Sequence, residues 1–160
     1  MHIDKKFLLI FLCCISGLAI GKEAEMPTFS STPIKYINQT SIGGAVGHPN
    51  QIAKVTDELV IGDKTNKNLK FWFYIYGANF HICSASGVAE SLEKNTYKYQ
   101  VSESSCQLKL TFKSNHATLE DIGGNCRELF CGSRGIIGKI TFHKAGSRLT
   151  HPSSGTLELP

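Results

Sequence analysis

Long helical periodicity is missing from this chain of 160 residues, which excludes a helical bundle. Charge of one sign is scarce as well: 17 Lys and Arg stand against 13 Asp and Glu, for a formal net charge of +4. That balance gives neither an acidic tail nor the basic stripe that nucleic acid requires, and the aromatic residues do not interleave with the lysines as a single-strand platform would. Catalytic signatures are lacking too. No G-x-S-x-G is present, and Gly43, Gly44 and Gly47 have neither the spacing nor the lysine of a P-loop. The longest apolar stretch, Phe7 to Ile20, falls short of the roughly 20 residues that a bilayer core demands, so no stable membrane span is expected.

That stretch has another reading. Lys5 and Lys6 precede FLLIFLCCI, which softens into Ser16, Gly17, Leu18, Ala19, Ile20 and Gly21. A positive end, an apolar middle and small residues at the close make the order of a cleavable secretory signal over residues 1–21. The expected location is periplasmic or secreted. Cys13 and Cys14 would leave with the leader, so Cys83, Cys106, Cys126 and Cys131 remain. An even count in an exported chain favours disulfides. The competing zinc reading, with His81, Cys83, Cys126 and Cys131 as ligands, suffers because no second close pair answers Cys126 and Cys131. No cofactor is implied.

Along the rest of the chain, residues 22–54 read as an N-terminal arm and loop, with Ile34 to Ile37 as a short edge strand and the glycine-rich Ser41 to Asn50 as loop. Residues 55–144 read as a single β domain, and residues 145–160, rich in Gly, Ser and Thr, as a flexible C-terminal tail. Within the domain, Leu59 to Ile61 and Leu69 to Tyr76 are strands. The second carries Leu69, Phe71, Phe73 and Ile75 on one face and Trp72, Tyr74 and Tyr76 on the other, as a central strand or barrel wall would. Phe80 to Val88, Thr96 to Val101, Cys106 to Phe112, Ala117 to Asp121 and Gly135 to Phe142 follow as strands, and Asn125 to Phe130 supplies a helical turn. Strand after strand at hairpin spacing predicts a mostly β fold: a small antiparallel meander closing into a barrel or strongly curved sheet.

The meander ranks the cysteine pairings. Cys83 and Cys106 would lie on strands flanking a third, about 10 Å apart, whereas a disulfide seldom spans more than about 7 Å between Cα atoms. The hairpin at Ser114 and Asn115 carries Cys106 towards the region of Cys126. Cys106 with Cys126, and Cys83 with Cys131, is the expected pairing.

Asn125 to Gly135 (NCRELFCGSRG) is the most distinctive segment. Two cysteines bracket Arg127, Glu128, Leu129 and Phe130, and Arg134 follows. A loop fixed at both feet loses little entropy on binding, which suits insertion into a partner's cleft. The bracketed loop, Cys126 to Cys131, resembles the cysteine-bracketed loop with which periplasmic lysozyme inhibitors of the Ivy type plug an enzyme's active site. The resemblance covers only those residues and departs from the family's pattern, since the family carries a histidine within the loop. It implies an inhibitor or immunity-type protein against a cell-wall hydrolase, with Arg127 set to meet catalytic carboxylates bidentately. The expected partner is a protein in the envelope or outside the cell, and the protein itself is not expected to be an enzyme. Two other readings stand beside it. One is a structural, envelope-associated module using the aromatic strand as its interface. The other is a small hydrolase built on His81 with Asp121 or Glu120. Asn38, Gln39 and Thr40 also form a glycosylation triplet in a eukaryotic host.

Overall fold

In the computed structural model, residues 24–45, 48–132 and 135–146 are described. The expected leader lies outside them, as do Ser133, Arg134 and residues 147–160. Eight antiparallel strands close into a barrel in chain order: β1 Ile34–Ala45, β2 His48–Gly62, β3 Asn68–Tyr76, β4 Ile82–Glu93, β5 Thr96–Gln100, β6 Gln107–Lys113, β7 His116–Asp121 and β8 Lys139–Lys144. The seam is short, with Tyr36 opposite Lys144 and Ile37 opposite His143. Among the described residues no helix is long and apolar enough to cross a membrane. The one α-helix described, α1, is the single turn Arg127–Phe130.

Alternation decides which side chains fill the barrel. Leu69, Phe71, Phe73 and Ile75 of β3 point inward, as do Leu108, Leu110 and Phe112 of β6 and Ala117 and Leu119 of β7. Their rings meet across the interior: Phe112 lies 6.0 Å from Tyr36 and 5.9 Å from Tyr97, and Phe71 lies 5.1 Å from Tyr99. β4 makes room for them, because its inward positions are Cys83, Ala85, Gly87 and Ala89. Large side chains on β3 and β5 thus face small ones on β4, which is how an eight-stranded barrel fills itself with side chains. The outer wall carries ion pairs, among them Lys35 with Glu58, Lys70 with Asp63 and Lys109 with Glu120. An apolar interior within a charged wall is the reverse of barrels whose walls face lipid.

The segment read as loop, Ser41 to Asn50, is instead the far part of a long hairpin. β1 and β2 pair from Ile34↔Ile61 up to Ala45↔His48. Gly43, Gly44 and Pro49 suggested a break, but a strand can take glycine at a bulge and proline at an unpaired edge. The register shifts between Gly43 and Ala45, and β2 pairs with β3 only from Glu58 onward, which leaves Pro49 on a free edge. The ordered structure therefore begins well before Val55. Asp57 ends the β2–β3 ladder by accepting the Tyr76 N–H at 2.8 Å and the Asn38 side-chain amide at 3.0 Å. Asn38, first residue of the glycosylation triplet, is thus a half-buried strand residue.

The N-terminal arm drapes over the outer wall. Ala24 accepts the Trp72 indole N–H at 2.8 Å and donates its own N–H to Ser84, while the Thr28 carbonyl accepts from Lys70. Phe29 lies where a side chain at Gly62 would stand, so only glycine permits that approach. At the end of the arm, Ser30 and Ser31 donate their N–H groups to the Asp63 carboxylate.

Candidate functional site

The even hairpins and the odd ones leave opposite ends of the barrel. One end collects the β1–β2 tip, the β3–β4 connection, the turn between β5 and β6, and the long connection from β7 to β8. That connection builds the site. Asp121, the last residue of β7, accepts the Cys126 N–H with both carboxylate oxygens at 3.3 and 3.2 Å. Burial raises its pKa above the ordinary value, opposed by the backbone N–H groups of Cys126 and Asn125. Gly123 and Gly124, both at positive φ, let the chain double back after β7.

Two disulfides then fix the feet of α1. Cys106 bonds to Cys126, and Cys83 bonds to Cys131. These are the pairs that strand spacing favours, and with all four thiols bonded the zinc reading loses its sulfur ligands. Among the described residues no group of three or more His, Cys, Asp or Glu could hold a metal ion. Between the feet, Arg127, Glu128 and Leu129 are exposed, and the Cys131 N–H donates to the Arg127 carbonyl at 2.8 Å to close the turn. Phe130 behaves differently from its neighbours. Its ring packs 6.3 Å from Phe73 and 6.4 Å from Tyr99, so it plugs the barrel end and aims the other three outward. Arg134 lies outside the described residues.

The return to β8 is equally constrained. A Cβ on Gly135 would stand 2.5 Å from the Cys131 Cβ and 3.0 Å from the Cys83 Sγ, so the glycine backbone lies directly against the disulfide. Ile137 is then buried and Ile136 is 67 % exposed. The Asp121 N–H donates to the Gly138 carbonyl at 2.8 Å and closes the connection on itself.

Further exposed apolar side chains share this end: Ile122 after β7, Phe80 between β3 and β4, and Ile52 on the outward face of the β1–β2 hairpin. Phe80 holds a φ of 59°, an outlier for an aromatic residue. Sequence reading placed Phe80 and Ile136 inside strands and missed this grouping. A doubled apolar pair such as Ile136–Ile137, which breaks strand alternation, was the available signal.

The hydrolase constellation is not assembled. Asp121 is engaged with Cys126, and Glu120 faces the outer wall, where it pairs with Lys109 at 3.1 Å and Lys139 at 3.8 Å. His81 makes no hydrogen bond or ion pair with either carboxylate. In the outward aromatic row Trp72 stacks on Tyr74 at 6.0 Å and Tyr74 meets Tyr76 edge to face at 5.2 Å, but the arm covers Trp72.

No protein-family model, curated protein or solved structure matches the chain.

Proposed function

We propose that this is an exported protein-binding module that docks through the disulfide-anchored end of its barrel, most concretely an inhibitor or immunity protein of a cell-wall hydrolase. The observation that carries the reading is the described part of the connection between β7 and β8, residues 121–132 and 135–138. It is held at Cys126, Cys131 and Gly135 and displays Arg127, Glu128, Leu129 and Ile136 to solvent. A surface ordered before binding loses little entropy on association. Exposed isoleucine, leucine and phenylalanine beside an arginine and a glutamate provide the mixture of apolar anchor and charge from which protein interfaces are built. The barrel interior is crossed by contacting rings, which argues against a small-molecule carrier. Two disulfides are compatible with a periplasmic or extracellular location.

Within this surface, Arg127 is the group suited to catalytic carboxylates, because a guanidinium pairs with them in a fixed bidentate geometry. A turbidity assay with lysozyme-type muramidases and amidases tests the reading. The protein should block at least one of them, and Arg127→Ala should weaken the block. Unimpeded clearing across the panel would sink the inhibitor proposal.

A further inference from the structure

At the opposite end of the barrel, the hairpin of β7 and β8 brings two histidines together on the outer wall. His116 and His143 are register partners. The Lys144 N–H donates to the Asn115 carbonyl at 2.8 Å. In an antiparallel ladder a bond at that place makes the His116–His143 pair one that does not exchange backbone hydrogen bonds, where Cα atoms approach to about 4.5 Å and side chains are closest. The next residues inward, Ala117 and Phe142, are buried, so both imidazoles face out. Their ring centroids lie 6.5 Å apart at an interplanar angle of 50°.

We propose that His116 and His143 form a two-nitrogen site for a divalent transition-metal ion, with Cu²⁺ as the strongest occupant. Neither imidazole makes a hydrogen bond or ion pair among the described residues, so both are at liberty to turn a nitrogen towards a shared ion. Rotation about the side-chain bonds closes the gap, given metal–nitrogen bonds of about 2.0 Å. The surroundings decide the class of ion. No carboxylate or thiolate joins the pair: Lys113 stands opposite His116 on β6, Ile37 stands opposite His143 on β1, and Thr118 and Thr141 come next on the same face with hydroxyls 3.4 Å apart. Two imidazole nitrogens without hard oxygen anions select Cu²⁺, Ni²⁺ and Zn²⁺ over Mg²⁺ and Ca²⁺, and water completes the coordination. Because α1 lies at the other end, an ion here and a protein partner there can be bound together.

Electron paramagnetic resonance of the full chain with Cu²⁺ alone tests the site. The expected spectrum shows coupling to two imidazole nitrogens, and His116→Ala and His143→Ala each abolish that two-nitrogen signature while His81→Ala preserves it. Equilibrium dialysis should show no retention of Mg²⁺. Both variants alter outward-facing side chains, so circular dichroism and thermal unfolding without metal should match the parent and separate ligand loss from misfolding. A two-nitrogen signal that survives either substitution, that disappears with His81, or that never forms overturns the proposal.

Discussion

Asp63 does more than end a strand. It holds φ at 49° just after β2, accepts the N–H groups of Ser30 and Ser31, and pairs with Lys70 at 3.1 Å. Those backbone donors, with Lys70 and the Ser31 hydroxyl assisting, lower its pKa to about 2. The folded value lies below the ordinary 3.8, so the stabilisation is fully present above that value and is lost as pH falls towards 2. Trp72 reports it, being the only tryptophan of the chain and covered by the arm through Ala24. Tryptophan emission of the parent should stay blue-shifted on acidification until near pH 2. Asp63→Asn, which removes the charge, should red-shift emission already at neutral pH. An unchanged spectrum in that variant would show that the arm is held by other contacts. Nothing local in the sequence foretold this clasp, because Asp63 meets residues more than thirty positions earlier and reads by itself as a turn former beside Gly62.

At the scale of elements, the clean alternation of β6 was legible, since Leu108, Leu110 and Phe112 are buried and Gln107, Lys109 and Thr111 between them are not, whereas in β5 Thr96 is buried beside Tyr97. The β1–β2 hairpin was not, because three glycines and a proline imitate a loop when neither the bulge nor the free edge can be seen. The partition of sizes across β3, β4 and β5 was also invisible until their registers were known. Gly87 shows why it matters: a Cβ there would stand 2.5 Å from the Tyr99 ring. Gly87→Val should destabilise the barrel by about 1–3 kcal/mol through overpacking, read as a lower urea midpoint. The same substitution at Val88 is no change at all, and Val88→Thr, on the exposed outer face of the same strand, should leave the midpoint nearly unaltered. Equal midpoints for Gly87→Val and the parent would mean that Tyr99 has room to move aside.

For the whole molecule, the two disulfides tie the connection between β7 and β8 to β4 and to the residue that precedes β6. The two bonds span 20 and 48 residues, and loop entropy assigns them about 3 and about 4 kcal/mol respectively. Replacing Cys83 and Cys131 by alanine should therefore lower the thermal midpoint more than replacing Cys106 and Cys126, as differential scanning calorimetry would record; the reverse order would point to packing at Cys106 as the dominant effect. The candidate site was legible in outline, because the bracketing cysteines mark Arg127 to Phe130 in the sequence itself. Its extent was not, since Phe80, Ile122 and Ile136 reach the same end only once the strands are paired, and Phe130 turned inward to fill it. In the proposed function this end of the barrel is the docking face. Its most direct test is affinity capture from envelope extract with the parent, with Leu129→Glu and Ile136→Glu at that end, and with Val88→Glu and Leu92→Glu on the exposed outer face of β4. One partner should be retained by the parent and the β4 variants and lost by Leu129→Glu and Ile136→Glu; retention by all of them, or loss only from the β4 variants, would place docking elsewhere.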